Sequence, residues 1–260
     1  MVKSLLNSNI NSMITCLNCG QSFRGNYCPN CGQKATVKRL TFLALIEDIL
    51  HFFTHLEKGF LYTSWNFIVR PGITSMNYIK GRRKKYQGST SYFLIWTGLY
   101  ILVHNSIINH YHYQFLSADI TQLNLQEQAN LSLRTHFSLF IIPILLISAL
   151  FIFLILGKPQ YNFIEILTLC LYGGGTYFMM LLVSDLILGI VFKVNTISTN
   201  VFLWQTILSS VYNFWFSYDI FKRVPIKLFW LRLVAVSILV ATSGWFLLLY
   251  LPMAWVYLAE

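Results

Sequence analysis

From residue 90 onward the chain consists largely of apolar runs long enough to cross a lipid bilayer, and these limit its fold more than any other feature. A helix needs about 20 predominantly apolar residues to span the hydrocarbon core. Five runs read as spans: Tyr92 to Ile108, Phe137 to Leu156, Phe163 to Phe192, Val201 to Phe216 and Leu228 to Tyr250. The fourth is short and made polar by Trp204, Gln205, Ser209 and Ser210, so its full crossing is the least secure. Only 11% of the 260 residues are charged, whereas soluble domains carry about 25%. The expected fold class is an α-helical multi-pass membrane protein with about five transmembrane helices over residues 91–260.

Ahead of this body lies a small cysteine module. Cys16-Leu-Asn-Cys19-Gly20 is followed, after eight residues, by Cys28-Pro-Asn-Cys31-Gly32. Two Cys-x-x-Cys turns can supply four thiolates to one tetrahedral zinc, and a glycine after each turn can adopt a backbone conformation that a side chain would hinder. Residues 16–33 are therefore expected to form a zinc ribbon with structural zinc held by Cys16, Cys19, Cys28 and Cys31. Gly25-Asn26 is the expected hairpin turn, with Phe23 and Tyr27 packed on it. So small a module has almost no core, so the metal must supply its folding energy. A redox dithiol pair and an iron site are the alternatives. A closed four-thiolate site has no open coordination position, so catalysis is not assigned to it. The fifth cysteine, Cys170, lies in an apolar run and reads as a small buried hydrophobe. Residues 1–15 are polar, lack the features of a secretory signal and read as a flexible lead-in.

Residues 34–90 form a basic amphipathic and interfacial segment. After the basic linker at 34–40, Thr41 is a plausible N-cap for a helix whose apolar face carries Phe42, Leu45, Ile46, Ile49, Leu50 and Phe53. Glu47, His51 and His55 fall along one face, either as a polar cluster able to bind a metal or as the head-group side of an amphipathic helix; the latter is preferred. Phe60 to Val69 is apolar but too short to span, which suits an interfacial or re-entrant segment, and Arg70-Pro71-Gly72 breaks it. Then come five cations in six residues, Lys80, Arg82, Arg83, Lys84 and Lys85. They suit a topological anchor. With Arg70 they could also contact anionic lipid or phosphate: the residues named for that are Arg70, Arg82, Arg83, Lys84 and Lys85.

Charge is distributed unevenly. Residues 1–90 hold 12 of the 19 Lys and Arg but three of the nine acids. With the head cytoplasmic, the inner loops carry Lys158, Lys222, Arg223 and Lys227, and the outer ones Arg134 and Lys193, as the positive-inside rule requires. Reduced thiols demand the same side. A basic head tethered to a membrane points to anionic lipid as partner rather than nucleic acid. The outer loop 109–136, with His110, His112, Asp119 and Glu127, reads as solvated. Within the spans, Glu165 and Asp185 lie near opposite surfaces, and Gly173-Gly174-Gly175 marks a kink, a broken helix lining a path or close helix packing.

These motifs together resemble a known family. Cys16-x-x-Cys19-Gly20, Tyr27-Cys28-x-x-Cys31-Gly32-Gln33, Arg39-x-Thr41, His55-x-x-Lys58-Gly59-Phe60-x-Tyr62-Thr63, Arg70-Pro71-Gly72 and Tyr78-Ile79-x-Gly81-x-Arg83-x-x-Tyr86 are similar to those of DUF3667. That family comprises uncharacterised bacterial membrane proteins with an N-terminal zinc ribbon. Tyr161-Asn162-Phe163-x-Glu165 resembles its later motif, but Ile166 stands where a His is expected, which argues against a metal or proton role for Glu165. The resemblance implies a protein of the bacterial inner membrane and brings no activity with it.

Three functions remain. The leading one is an integral membrane protein whose cytoplasmic zinc ribbon and basic segment act as a protein- or lipid-interaction module. The second is a transporter or channel component with a path along the third span. The third is a membrane enzyme acting on lipid head groups, which requires Arg70, His51, His55 and the basic run to converge in one cleft. The sequence identifies no catalytic residue, and whether the chain is an enzyme stays open.

Overall fold

The apolar runs become helices because a long apolar segment must satisfy its backbone groups internally. The structure, a computed structural model, describes residues 13–37, 39–52, 59–112, 137–188 and 199–259. Two short strands, β1 (Ile14–Thr15) and β2 (Ser22–Phe23), precede eight helices among these residues. The helices are α1 (Phe42–Phe52), α2 (Phe60–Val69), α3 (Pro71–Ile79), α4 (Ser89–His112), α5 (Phe137–Ile152), α6 (Phe163–Leu186), α7 (Thr199–Phe221) and α8 (Phe229–Ala259). A π-helical turn, Phe153–Gly157, extends α5.

Long helices stand at all five expected spans. Among the described residues only α6 is both long and apolar enough to cross a membrane; Ile141–Gly157 and Phe229–Gly244 are shorter apolar stretches. The fourth helix is longer than its apolar run: α7 has 23 residues, about 34 Å at 1.5 Å per residue. The end of the third run, from 189, lies outside the described residues, as do 113–136 of the outer loop and 1–12 of the lead-in.

The ribbon is built differently from the expected hairpin. Each knuckle closes its own small ladder. β1 pairs antiparallel with β2 around the first knuckle, and Tyr27 bridges Lys34 around the second. The two turns repeat one bonding pattern: Gly20 N–H donates to Cys16 O at 2.9 Å, and Gly32 N–H to Cys28 O at 2.8 Å. Both glycines adopt positive φ, +78° and +71°, the left-handed region that side chains disfavour. Phe23 is buried with Cys16 and Cys28 as expected, but Tyr27 is 62% exposed. Gly25-Asn26 joins the two ladders instead of turning one hairpin.

Helices α2 and α3 fold back on each other. Arg70, at φ −143° and ψ 56°, interrupts the helix, and Pro71 starts the next at a position where its missing N–H costs nothing. The open end of this hairpin is closed by Thr63, whose hydroxyl accepts from Gln87 N–H at 2.9 Å. At its tip, Gly72 N–H donates to Asp219 Oδ2 of α7 at 2.6 Å. A Cβ on Gly72 would lie 2.1 Å from the Asp219 carbonyl oxygen, so this contact requires glycine. Phe67 of α2 is fully buried and stacks on Tyr172 of α6 at 4.3 Å, while Leu61 and Trp65 are 74% and 66% exposed. The hairpin therefore presents one face to the bundle and an apolar face outward.

The bundle core lies between α4 and α6. The triple glycine is the reason they approach. A Cβ on Gly175 would meet the Tyr92 ring at 2.7 Å, and one on Gly173 would meet the Phe216 ring of α7 at 3.2 Å. Helix α6 runs unbroken through all three glycines. They serve helix packing, one of the readings drawn from sequence.

Candidate functional site

The four knuckle cysteines converge. Cys16 Sγ lies 3.5 Å from Cys31 Sγ, Cys19 Sγ lies 3.5 Å from Cys28 Sγ, and all four sulfurs fall within 4.8 Å of one another. A tetrahedron with metal–sulfur bonds of about 2.3 Å has edges of about 3.8 Å, so the four donors are spaced to hold one metal ion. Cys16 and Cys28 are buried, whereas Cys19 is exposed. The Gln21 backbone N–H leads in lowering the Cys19 thiol to about 6, while burial pushes Cys16 up to about 11. Burial also acts against ionisation of Cys31, but the Gln33 backbone N–H and the Asn18 side chain outweigh it and hold that thiol low. A thiol near 6, as at Cys19, is largely thiolate at neutral pH, the form that binds metal. Four sulfur donors suit zinc and close its coordination sphere.

The ribbon does not stand free of the body. Gln33, the residue after the second knuckle's glycine, is buried. Its Nε2 donates to Gly81 O at 3.0 Å, and its Oε1 accepts from the N–H groups of Arg83 at 3.2 Å and Lys84 at 3.4 Å. One side-chain amide thus binds the backbone of the basic turn on both its polar atoms. Arg82, Lys84 and Lys85 remain exposed around this clamp.

A second link ties the linker after the ribbon to α6. Arg39 Nε and Nη2 donate to Glu165 Oε1 and Oε2 at 2.7 and 2.8 Å. Glu165 is also half of a capping box: its Oε2 accepts from Asn162 N–H at 2.9 Å, and Asn162 Oδ1 accepts from Glu165 N–H at 2.7 Å. The Tyr161–Glu165 motif is therefore the start of α6, and Glu165 holds a helix end and an arginine.

Between ribbon, turn and α6 lies a groove of about 470 Å³. Arg39, Lys80, Arg83, Tyr161 and Glu165 line it, three cations to one carboxylate. Leu17, Val37 and Ile79 form its apolar edge. Arg83 is oriented by its own contacts: Nε donates to Tyr78 O at 3.3 Å, and the guanidinium lies 5.5 Å from the Tyr78 ring centroid.

The residues named from sequence divide among these features. Arg83 enters the groove; Arg82, Lys84 and Lys85 surround the clamp. Arg70 is exposed at the other end of the nine-residue α3, roughly 13 Å of helix rise away. Glu47 is exposed on α1, while the His51 side chain and all of His55 lie outside the described residues. Asp185, expected near a surface, is 1% exposed inside the bundle. His104 Nδ1 lies 2.9 Å from its Oδ2, and Gln205 Nε2 donates to its Oδ1 at 2.7 Å, joining α4, α6 and α7. Arg39, Gln33, His104 and Gln205 as partners escaped sequence reasoning. The signal for the last two was a polar residue inside an apolar run.

Residues 57–101 match the family described as protein of unknown function (DUF3667). The match supports the resemblance drawn from the motifs. It places in the DUF3667 segment the α2–α3 hairpin, Arg70-Pro71-Gly72, the basic turn and the first half of α4. The knuckles and Glu165 lie outside it, although Gln33, after the second knuckle, bonds to Gly81, Arg83 and Lys84 within it. No curated protein and no solved structure matches the chain.

Proposed function

We propose that this DUF3667 protein is a multi-pass protein of the bacterial inner membrane whose zinc-stapled head, on the cytoplasmic side, docks against an acidic membrane surface. The observation that carries this is the Gln33 clamp. It joins the ribbon to the basic turn, so that Arg82, Lys84 and Lys85 project from one ordered unit. Juxtamembrane cations add about 1 kcal/mol each toward an anionic leaflet. Arg39 bonds Glu165 at the start of α6 and Gly72 bonds Asp219 near the end of α7, so the segment that follows the head packs at those two helix ends. Lys222 and Arg223 follow α7 at that end, which supports the cytoplasmic orientation by the positive-inside rule. The domains proposed from sequence stand in this scheme as head (16–33), interfacial segment (34–90) and membrane body (91–260). A protein partner bound through the ribbon is the other form of the same function.

The test uses the full chain in nanodiscs. Its unfolding temperature should be higher in phosphatidylglycerol than in phosphatidylcholine, and the difference should shrink with salt and with Arg82→Ala/Lys84→Ala/Lys85→Ala. Equal stability in both lipids would remove the proposal's support.

A second reading, an ion or proton path, is favoured by the buried Asp185 with His104 and Gln205, because intramembrane acids often mark such paths. It gains nothing from the triple glycine, which is filled by rings. Asp185→Asn should abolish proton flux in liposomes if this reading holds. An enzyme acting on head groups needs Arg70 and the basic run in one cleft, and α3 separates them.

A further inference from the structure

The docking surface is made of exposed lysine and arginine, but the groove behind it is of another kind. It is assembled from separate parts of the chain: Leu17 and Val37 come from the ribbon and its linker, Arg83 from the turn, Tyr161 and Glu165 from the start of α6. We propose that this groove binds a phosphate group, recognised by Arg39 and Arg83 with Lys80. The proposal rests on the head facing an acidic membrane and names the chemistry it selects there.

Two guanidinium groups line one cavity, and the planar fork of arginine matches phosphate oxygens in pairs, which lysine cannot do. The groove already holds one oxyanion, the Glu165 carboxylate, with both oxygens bound by Arg39 and one by the Asn162 amide. That resident anion fixes the direction of Arg39 and commits two of its five donors. Lys80 is exposed at the rim and adds a mobile point charge. Cations outnumber the carboxylate three to one, so the cavity stays electropositive after Glu165 is paired. The apolar edge has no use in holding a bare ion but fits the neck of a phospholipid. A lipid head group and free phosphate share the recognised chemistry, and experiment separates them.

The full chain in detergent would be titrated with short-chain phosphatidic acid, inorganic phosphate and short-chain phosphatidylcholine, with unfolding temperature as readout. Saturable stabilisation by both phosphatidic acid and phosphate supports the site with phosphate alone sufficient. Stabilisation by phosphatidic acid only supports it with the lipid as source. No effect beyond that of phosphatidylcholine overturns it. Lys80→Ala should weaken binding by roughly tenfold, as loss of a charge-assisted contact does. Arg39→Lys retains a cation for Glu165 but removes the fork and should weaken it further; should that variant not fold, Arg83→Lys takes its place. Arg82→Ala/Lys84→Ala/Lys85→Ala strips the docking surface and should still leave a saturable response in the titration. If that triple variant abolishes binding while Lys80→Ala does not, the groove proposal fails and surface docking stands. If the groove titrates normally but stability in nanodiscs ignores lipid charge, docking fails and the groove stands.

Discussion

Arg39 and Glu165, 126 positions apart, meet through two hydrogen bonds of 2.7 and 2.8 Å, and the carboxylate is 4% exposed while the arginine is 61% exposed. The asymmetry decides what substitution does. Removing the arginine leaves a buried carboxylate without its counter-ion, whereas neutralising the carboxylate leaves a solvated cation. Arg39→Ala should therefore lower the unfolding temperature more than Glu165→Gln, which keeps an oxygen for the helix cap. Adding Glu165→Gln to Arg39→Ala should recover part of the loss. Thermal unfolding of the three variants checks this, and a double variant that loses the sum of the two single losses would show that the pair is not coupled.

Cys28 is the most buried of the four knuckle sulfurs, and the ribbon's small core includes it. Cys28→Ser should abolish bound zinc, measured by elemental analysis, and make residues 14–35 protease-sensitive while membrane insertion continues. Retained protease resistance in the metal-free variant would contradict a metal-dependent fold.

Close backbone contacts give a graded series. Gly72→Ala places a methyl 2.1 Å from the Asp219 carbonyl, and Gly175→Ala one 2.7 Å from the Tyr92 ring. Each should cost about 1–3 kcal/mol as overpacking does. Gly98, in the same core helix as Tyr92, has nothing within 4 Å. There alanine should be neutral or stabilising by up to about 1 kcal/mol, through helix propensity. Chemical denaturation in detergent would rank the three.

Much of this structure was legible in the sequence because it is local. Cys-x-x-Cys spacing, positive-φ glycines, the break at Arg70-Pro71 and the apolar runs all act within a few residues of themselves. What escaped is long-range. Nothing about Gln33 announces that it will bind Gly81 and Arg83, because a polar side chain states a need for partners without naming them. The same holds for Arg39 with Glu165. Asp185 was read as interfacial from its place near the end of a run, but burial depends on whether His104 and Gln205 arrive opposite it. Tyr27 is expected to pack on the turn, but the ribbon is too small to cover it. Glycine triplets are ambiguous by nature: they permit both a broken helix and a close one, and only the rings of Tyr92 and Phe216 settle it.

Asp185 joins three helices, so its loss should loosen all three. Asp185→Ala leaves His104 and Gln205 without their acceptor and should cost roughly 1–3 kcal/mol, as a buried donor left unsatisfied does. Asp185→Asn should cost less. Steric trapping or denaturation in detergent measures the difference; an Asp185→Ala variant as stable as wild type would show the cluster to be slack.

Ribbon and basic turn form one unit through Gln33. Hydrogen–deuterium exchange of the full chain tests it directly, with Gln33→Ala compared with wild type at residues 80–87. Faster exchange of the Arg83 and Lys84 amides, with the metal still bound, is the predicted result. Unchanged exchange at both amides would mean that the turn holds its shape without the ribbon and that the two are merely neighbours.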